Sequence, residues 1–182
     1  MFNFFKKKEN TIKITDTIWM TQQAKWNGLA ALWKKDQQIA IITWFEDSFH
    51  QLEKVLQNDA LPLECLFLAR SLNSHQLAGK KIIFSEHHPL FHKEQDHFRQ
   101  WQLRHVHVHS ALDEPLFQYF GGEKIIGMMK ELGMSDEGMI EHSMISNAIR
   151  NAQQKIEKKV STEFAATSQQ QWIARNLPVS EK

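Results

Sequence analysis

Apolar residues recur along this chain in two alternating rhythms, and their order predicts a fold. Thr11–Thr21 (TIKITDTIWMT) places Ile12, Ile14, Ile18 and Met20 in phase at every second position, which predicts an extended strand. Thr21 suits a helix cap. Trp26, Leu29, Ala30 and Trp33 then recur at helical spacing up to Lys34 and Lys35, cations suited to a helix C-terminus. Gln38–Phe45 (QIAIITWF) is a continuous β-branched run of the kind that a strand buried on both faces requires. Glu46–Leu56 returns to helical spacing through Phe49, Leu52, Val55 and Leu56.

The alternation continues. Leu63–Ala69 is strand-like, His75–Ala78 a short helical turn and Lys81–Phe84 another strand. Pro89–Trp101 is a predicted helix with proline near its first turn, where a missing N–H costs nothing. Arg104–His109 (RHVHVH) alternates strictly. Strands alternating with helices at this spacing predict a parallel sheet with crossover helices, a small doubly wound domain. From Leu112 the chain becomes helical. Ile125, Met128, Met129 and Leu132 make one apolar face, and Ile140, Met144, Ala148 and Ile156 make the next, on a long helix after Ser135 that runs to about Lys159. Met-rich stripes of this kind are core more often than cofactor boxes. Ser161–Lys182 is polar and expected to be loose, with Trp172 and Ile173 able to dock back.

Composition narrows the function classes. Lys plus Arg number 22 against 21 Asp plus Glu, a formal net charge of +1, so the chain lacks the basic surplus of a general nucleic-acid binder. Lys6–Lys8 after Met-Phe-Asn-Phe-Phe would anchor only weakly to a membrane surface, and a frayed terminus is the plainer expectation. No apolar run approaches a membrane span, and the order of charge and apolar residues is reversed from that of a secretory signal. The single cysteine, Cys65, excludes an internal disulfide and fits a cytoplasmic protein. Among Leu63, Leu66 and Phe67 it is expected to be a buried structural thiol.

Phe117–Lys159 (FQYFGGEKIIGMMKELGMSDEGMIEHSMISNAIRNAQQKIEKK) resembles the segment that closes the second nucleotide-binding domain of the SecA preprotein translocase motor and enters its scaffold helix, most closely at Glu141-His142 and Asn151-Ala-Gln153. Earlier stretches are similar in a scattered way. Asp16-Thr-Ile-Trp-Met-Thr21, followed by Lys25, resembles the opening strand and helix of that domain. Gln38–Thr43 stands in the place of its next buried strand, and Glu46 with Ser48 where the following helix starts. Lys81-Ile-Ile-Phe-Ser-Glu-His-His88 resembles the strand leading into the family's Thr-Glu-Arg-His-Glu-Ser motif, keeping Glu86 and His88. Ser110–Phe117 and Phe120-Gly-Gly122 resemble the two segments that follow. The resemblance spans about Asp16 to Lys159 and implies a RecA-like α/β domain over 11–134, with 1–10 a flexible terminus, 135–160 a C-terminal helix and 161–182 a loose tail.

The departures are where that motor handles ATP. The sequence has no Gly-x-x-x-x-Gly-Lys-Ser/Thr loop to cradle phosphates; Ala78-Gly-Lys-Lys81 lacks the loop and the Mg²⁺-holding hydroxyl. The family's first domain has no counterpart here. The second domain's Gln-Leu-Arg-Gly-Arg-Ala-Gly-Arg motif is replaced by Gln95–Arg104, where Arg99 and Arg104 lack the glycine turn that would aim them. The resemblance therefore implies a pseudo-ATPase that binds a protein partner or itself, with no catalytic residues, no cofactor and no nucleic acid. The expected partner stripe is Ile140, Met144, Ala148 and Ile156, with Ile156 exposed or covered by another chain.

Two alternatives stay open. Seven of the ten histidines fall between His87 and His109. On a strand, His105, His107 and His109 share a face, with neighbours about 6.6–6.8 Å apart, and His88 and His92 stand four apart on the predicted helix. These five are candidate ligands for Zn²⁺, and with Glu86 nearby a metal-dependent hydrolase is the reading they would support. Asp113 and Glu114 suit a helix start. The other alternative is half of a split ATPase, completed by a Walker-bearing partner.

Overall fold

The computed structural model describes residues 12–141 and 143–178. The opening alternation forms β1 (Lys13–Trp19), and α1 (Gln22–Lys35) starts where expected. Thr21 Oγ1 accepts the Ala24 N–H at 3.1 Å, satisfying one of the first-turn donors of the helix. Then follow β2 (Ile39–Thr43), α2 (Glu46–Asn58), β3 (Leu66–Leu68), two 3₁₀ turns (Ala69–Ser71 and Ser74–Leu77), β4 (Lys81–Phe84), α3 (Phe91–Gln100) and β5 (His105–Ala111). The helical part comprises α4 (Pro115–Tyr119), α5 (Gly122–Glu131), α6 (Ser143–Glu157) and α7 (Gln169–Asn176), with β6 (Met139–Ile140) between α5 and α6.

The strands make one sheet in the order β3-β2-β4-β5-β1-β6. Every pair is parallel except β1 with β6, where Ile18 pairs with Ile140 and Trp19 with Met139 in antiparallel sense. This is the RecA-like α/β architecture expected from the sequence, with one antiparallel edge added. Ile39–Thr43 and Ile82–Phe84 lie in interior strands, because their unbroken apolar character needs cover on both faces.

That cover comes from two cores. Trp26, Leu29 and Trp33 of α1 and Leu52 and Leu56 of α2 pack on Ile39, Ile41 and Ile83 from one side. Leu77, Phe98 and Trp101 pack on Ala40, Ile42, Phe84, Val106 and Val108 from the other. Each such side chain removed from water stabilises the fold by about 1.5–3 kcal/mol before entropy is counted. Gly28, in the middle of α1, lets the helix pass over the sheet: a Cβ there would come within 2.2 Å of the Trp19 indole.

The C-terminal region departs from expectation. The last long helix begins at Ser143, eight residues after Ser135, because 139–140 are used as an edge strand. The stretch expected to be loose contains α7, capped by Ser168, whose Oγ accepts the Gln171 N–H at 3.0 Å. Trp172 and Leu177 close a third core with Phe45, Leu90, Leu116 and Ile156. Ile156 is therefore 0% exposed and belongs to the core rather than to a partner surface. The expected exposure rested on there being less domain left to cover the C-terminal half of this helix, and α7 supplies that cover. The N-terminal residues 1–10, expected to be flexible, and His142 of the Glu141-His142 resemblance lie outside the described residues, as do 179–182.

Candidate functional site

In an open α/β sheet, ligands bind outside the carboxyl ends of the strands, where chain connections diverge to opposite faces. Here that point lies between β2 and β4. From β2 the chain enters α2 on the face of α1, whereas from β4 it enters α3 on the opposite face. The crevice is bordered by Thr43–Glu46 and Ser85–Leu90.

It is filled from within. The Glu86 carboxylate accepts the Trp44 N–H at 3.0 Å, the Phe45 N–H at 3.2 Å and the Ser48 hydroxyl at 2.6 Å. The Asp47 N–H donates to the Thr167 carbonyl of the C-terminal segment at 3.0 Å. Two N–H donors just before α2 and one in its first turn are thus already used by a side-chain carboxylate and a backbone carbonyl rather than left for a phosphate. Burial raises Glu86 above the usual carboxylate range, offset in part by Lys25 and these three donors.

The C-terminal segment is held over the crevice through His88. Its Nδ1 accepts the Leu90 N–H at 3.0 Å, which assigns the proton to Nε2, and Nε2 lies 3.3 Å from Glu163. Burial keeps this imidazole neutral by lowering its pKa. Glu163 also accepts from Lys93 and from the Trp172 indole, both at 2.8 Å. Burial would raise the Glu163 carboxyl, but these donors hold it well below the ordinary range. Gln169 adds a bond to the His87 carbonyl at 3.2 Å, and Gln153 of α6 one to the His88 carbonyl at 2.8 Å.

Beneath the crevice lie two buried charge groups. His87 sits between Asp16 of β1 (Nε2 to Oδ1, 2.8 Å) and Glu94 of α3 (Nδ1 to Oε1, 3.0 Å). Burial alone would neutralise the ring, but the two carboxylates raise its pKa well above the usual value, so it is an imidazolium donating from both nitrogens. Burial would likewise raise Asp16, and His87 brings it below the usual value instead. The second group is Lys25, which donates to the Ser85 carbonyl at 2.6 Å and pairs with Glu114. Burial pushes Glu114 up to about 7, with the Lys25 ammonium opposing that rise.

Comparison with known proteins bears on these features. No family model matches the chain. Stretches of it are 39% identical over 49 residues to protein translocase subunit SecA of Acinetobacter baylyi (27% of this chain, 5% of that protein). They are 41% identical over 61 residues to SecA of Acetivibrio thermocellus (34% and 7%) and 45% over 47 residues to SecA of Clostridium tetani (26% and 6%). A segment of this chain is related to SecA. The aligned part covers only 5% to 7% of these SecA proteins, so the likeness belongs to a segment and not to a whole motor.

The candidate metal ligands do not converge. His88 spends both ring nitrogens on Leu90 and Glu163, while His92 is exposed and bonded to Glu157 at 2.9 Å. On β5, the His105 and His107 rings come to 4.4 Å, closer than the strand rise alone implies because the side chains lean together. His105 bonds Thr15 at 3.0 Å. His109 stacks beside Trp19 and accepts its indole N–H on Nδ1 at 3.1 Å, and burial, then His107, lower it to about 4. Among the described residues, no three His, Cys, Asp or Glu side chains are grouped to hold a metal ion. Cys65 is buried, its thiol pushed up to about 11 by desolvation.

Three of the four residues of the partner stripe do meet. Ile140, Met144 and Ala148 line an apolar groove of about 630 Å³ between α5 and α6, floored by Ile18 and Leu116 and flanked by Ile125. Of its lining residues, Phe120 and Met144 are exposed at 40% and 69%. Ile156 lies outside the groove. Sequence reading missed the roles of Asp16, Lys25, His87, Glu94 and Glu163. One signal was present: Lys25 stands four residues before Leu29 and eight before Trp33, on the buried stripe of α1, where a cation needs a partner. No helix among the described residues is long and apolar enough to cross a membrane.

Proposed function

We propose that the chain is a shortened, non-catalytic relative of the second nucleotide-binding domain of SecA, acting in the cytoplasm as a protein-interaction or regulatory module linked to protein translocation. The observation that carries this reading is the filled crevice. Glu86 takes the Trp44 and Phe45 N–H groups before α2, Thr167 takes that of Asp47 in its first turn, and Trp172 packs in the third core beside Phe45. A phosphate seeking the Trp44, Phe45 or Asp47 N–H groups would have to displace the buried Glu86 carboxylate or the Thr167 carbonyl. The absence of a phosphate loop from the sequence and the lack of a turn to aim Arg99, which pairs with Asp96 on the surface, agree with it. Calorimetric titration with Mg-ATP is expected to show no binding in the micromolar range; clear saturable heat there would defeat the reading.

The interaction face is the groove between α5 and α6, where apolar side chains such as Phe120 and Met144 remain in contact with water. Ala148→Asp places a charge in this groove at an exposed position. It is expected to change stability by no more than ~0.5 kcal/mol. Pull-down from the native cell followed by mass spectrometry should recover specific proteins with the unsubstituted chain and lose them with Ala148→Asp. Equal recovery by both would place the partner face elsewhere.

A further inference from the structure

We infer that the groove between α5 and α6 binds a monomeric long-chain fatty acid, its chain lying along α6 and its carboxylate at Lys155. The distribution of polarity in the lining carries this. Lys155 is the only charged residue that lines the groove, Asn151 is the only other polar one, and the remainder are apolar. Sites for small ligands have this character: roughly 300–1,000 Å³, mostly apolar, with a few polar groups that fix orientation. The groove, at about 630 Å³, lies within that range.

Both polar groups stand toward the same end. Met144 is in the first turn of α6 and Lys155 in the last, with Asn151 one turn before it. Lys155 is exposed and makes no ion pair among the described residues. Lys158 and Lys159 follow it, and the Lys159 ammonium donates to the Tyr119 hydroxyl of α4 at 3.1 Å. An anionic head is therefore favoured at this end and a cationic one is not. The other end is apolar: Ile18 and Ile140, paired across β1 and β6, line it with Met144.

Length agrees with this occupant. Met144 to Lys155 is a rise of about 16 Å along the helix. An acyl chain of a bilayer occupies about 15 Å, half the thickness of the hydrocarbon core. Flexible thioethers on the two walls, Met129 from α5 and Met144 from α6, can follow such a chain. A bound fatty acid would oppose capture of a protein at the same face. Only that consequence rests on the interaction reading; the binding does not.

Titration of the full chain with decanoate and dodecanoate, below their micelle concentrations and near neutral pH, tests the assignment. With ¹³C-labelled methionine methyl groups, the Met129 and Met144 signals are expected to shift saturably. Dodecanoate should bind about tenfold more tightly than decanoate, because each methylene removed from water contributes severalfold. Lys155→Glu should weaken dodecanoate about tenfold, since an attraction becomes a repulsion, and leave the thermal midpoint unchanged at this exposed position. Dodecyltrimethylammonium, with the opposite charge on the same chain, should bind the unsubstituted chain less tightly than dodecanoate and the variant more tightly. Equal affinity for the two heads, or for dodecanoate with and without Lys155, would mark an unselective apolar patch and overturn the assignment. So would uptake onto anionic vesicles without binding of the monomer, or methionine shifts that follow protein concentration alone, which would assign the face to a membrane or to a second copy. Partner capture that is lost in Ala148→Asp while dodecanoate fails to bind would remove only the fatty acid and leave the interaction reading standing. Dodecanoate binding with equal capture by both chains would support the fatty acid and remove the partner.

Discussion

Ile156→Asp is expected to unfold most of the protein, with a loss of at least about 4–5 kcal/mol, a size found only for a few mechanisms. Two of them act here together. The side chain is 0% exposed in the core formed with Phe45, Leu90, Leu116, Trp172 and Leu177, so its removal forfeits packing worth about 2–5 kcal/mol. The aspartate that replaces it has no cation in that cluster and must either lose its hydration or open the site. Since domains of this size are stable by only about 5–15 kcal/mol, the loss approaches the whole. Trp172→Ala should act on the same core, at about 3–5 kcal/mol, and also removes the indole N–H that Glu163 accepts. Ile156→Val, which keeps shape and polarity, should cost only about 0.5–1.5 kcal/mol. Urea unfolding followed by circular dichroism would rank the three. An unchanged midpoint for Ile156→Asp would mean that α6 and α7 do not pack as described, and the crevice would then lack its cover.

The α/β order was legible because each element obeys a local rule that tertiary contacts also satisfy. Ile39–Thr43 is apolar throughout and becomes a central strand; Thr21 precedes the apolar stripe of α1 and caps it. Where the reading failed, the information was not local. The segment after Val160 is polar in aggregate; Trp172 stands out in it as able to dock back, but nothing local marks Leu177 or the helix that carries Trp172. Their burial depends on Phe45, Leu90 and Leu116, which arrive from other elements. The strand β6 is two residues long and leaves no periodic trace. The histidines misled for a related reason. Spacing puts His105, His107 and His109 on one face, but whether a ring is free to ligate depends on what stands opposite, and for His109 that is the Trp19 indole on the neighbouring strand. The buried group Asp16–His87–Glu94 draws its members from β1, the loop after β4 and α3, across 71 and 7 residues of sequence, and no motif spacing announces it.

His87→Gln is expected to cost about 3–5 kcal/mol near pH 6, because it removes the cation between two buried carboxylates and leaves them facing each other. The pH dependence identifies the cause. Against its burial, the folded pKa of His87 is raised well above its ordinary value of 6.5 by the Glu94 and Asp16 carboxylates. Its contribution is therefore complete below pH 6.5 and is lost as pH rises through the raised folded value. Asp16 is lowered from 3.8, so its contribution is present above pH 3.8 and is lost as pH falls through the folded value. The stability difference between the unsubstituted chain and His87→Gln should thus be greatest between pH 3.8 and 6.5 and shrink on both sides. His88 and His109 behave oppositely. Both are lowered by burial, so each stabilises the fold above pH 6.5 and loses that contribution as pH falls, His109 through about 4. Both residues remain in the variant, and the effect of His109, which shares no hydrogen bond with His87, largely cancels in the difference. Urea unfolding of the two proteins across pH 4 to 9 would measure it directly. A difference that stays level from pH 5 to 9 would mean that His87 carries no extra proton in the folded chain; the site would then be a neutral hydrogen-bond bridge, with one carboxyl protonated in its place.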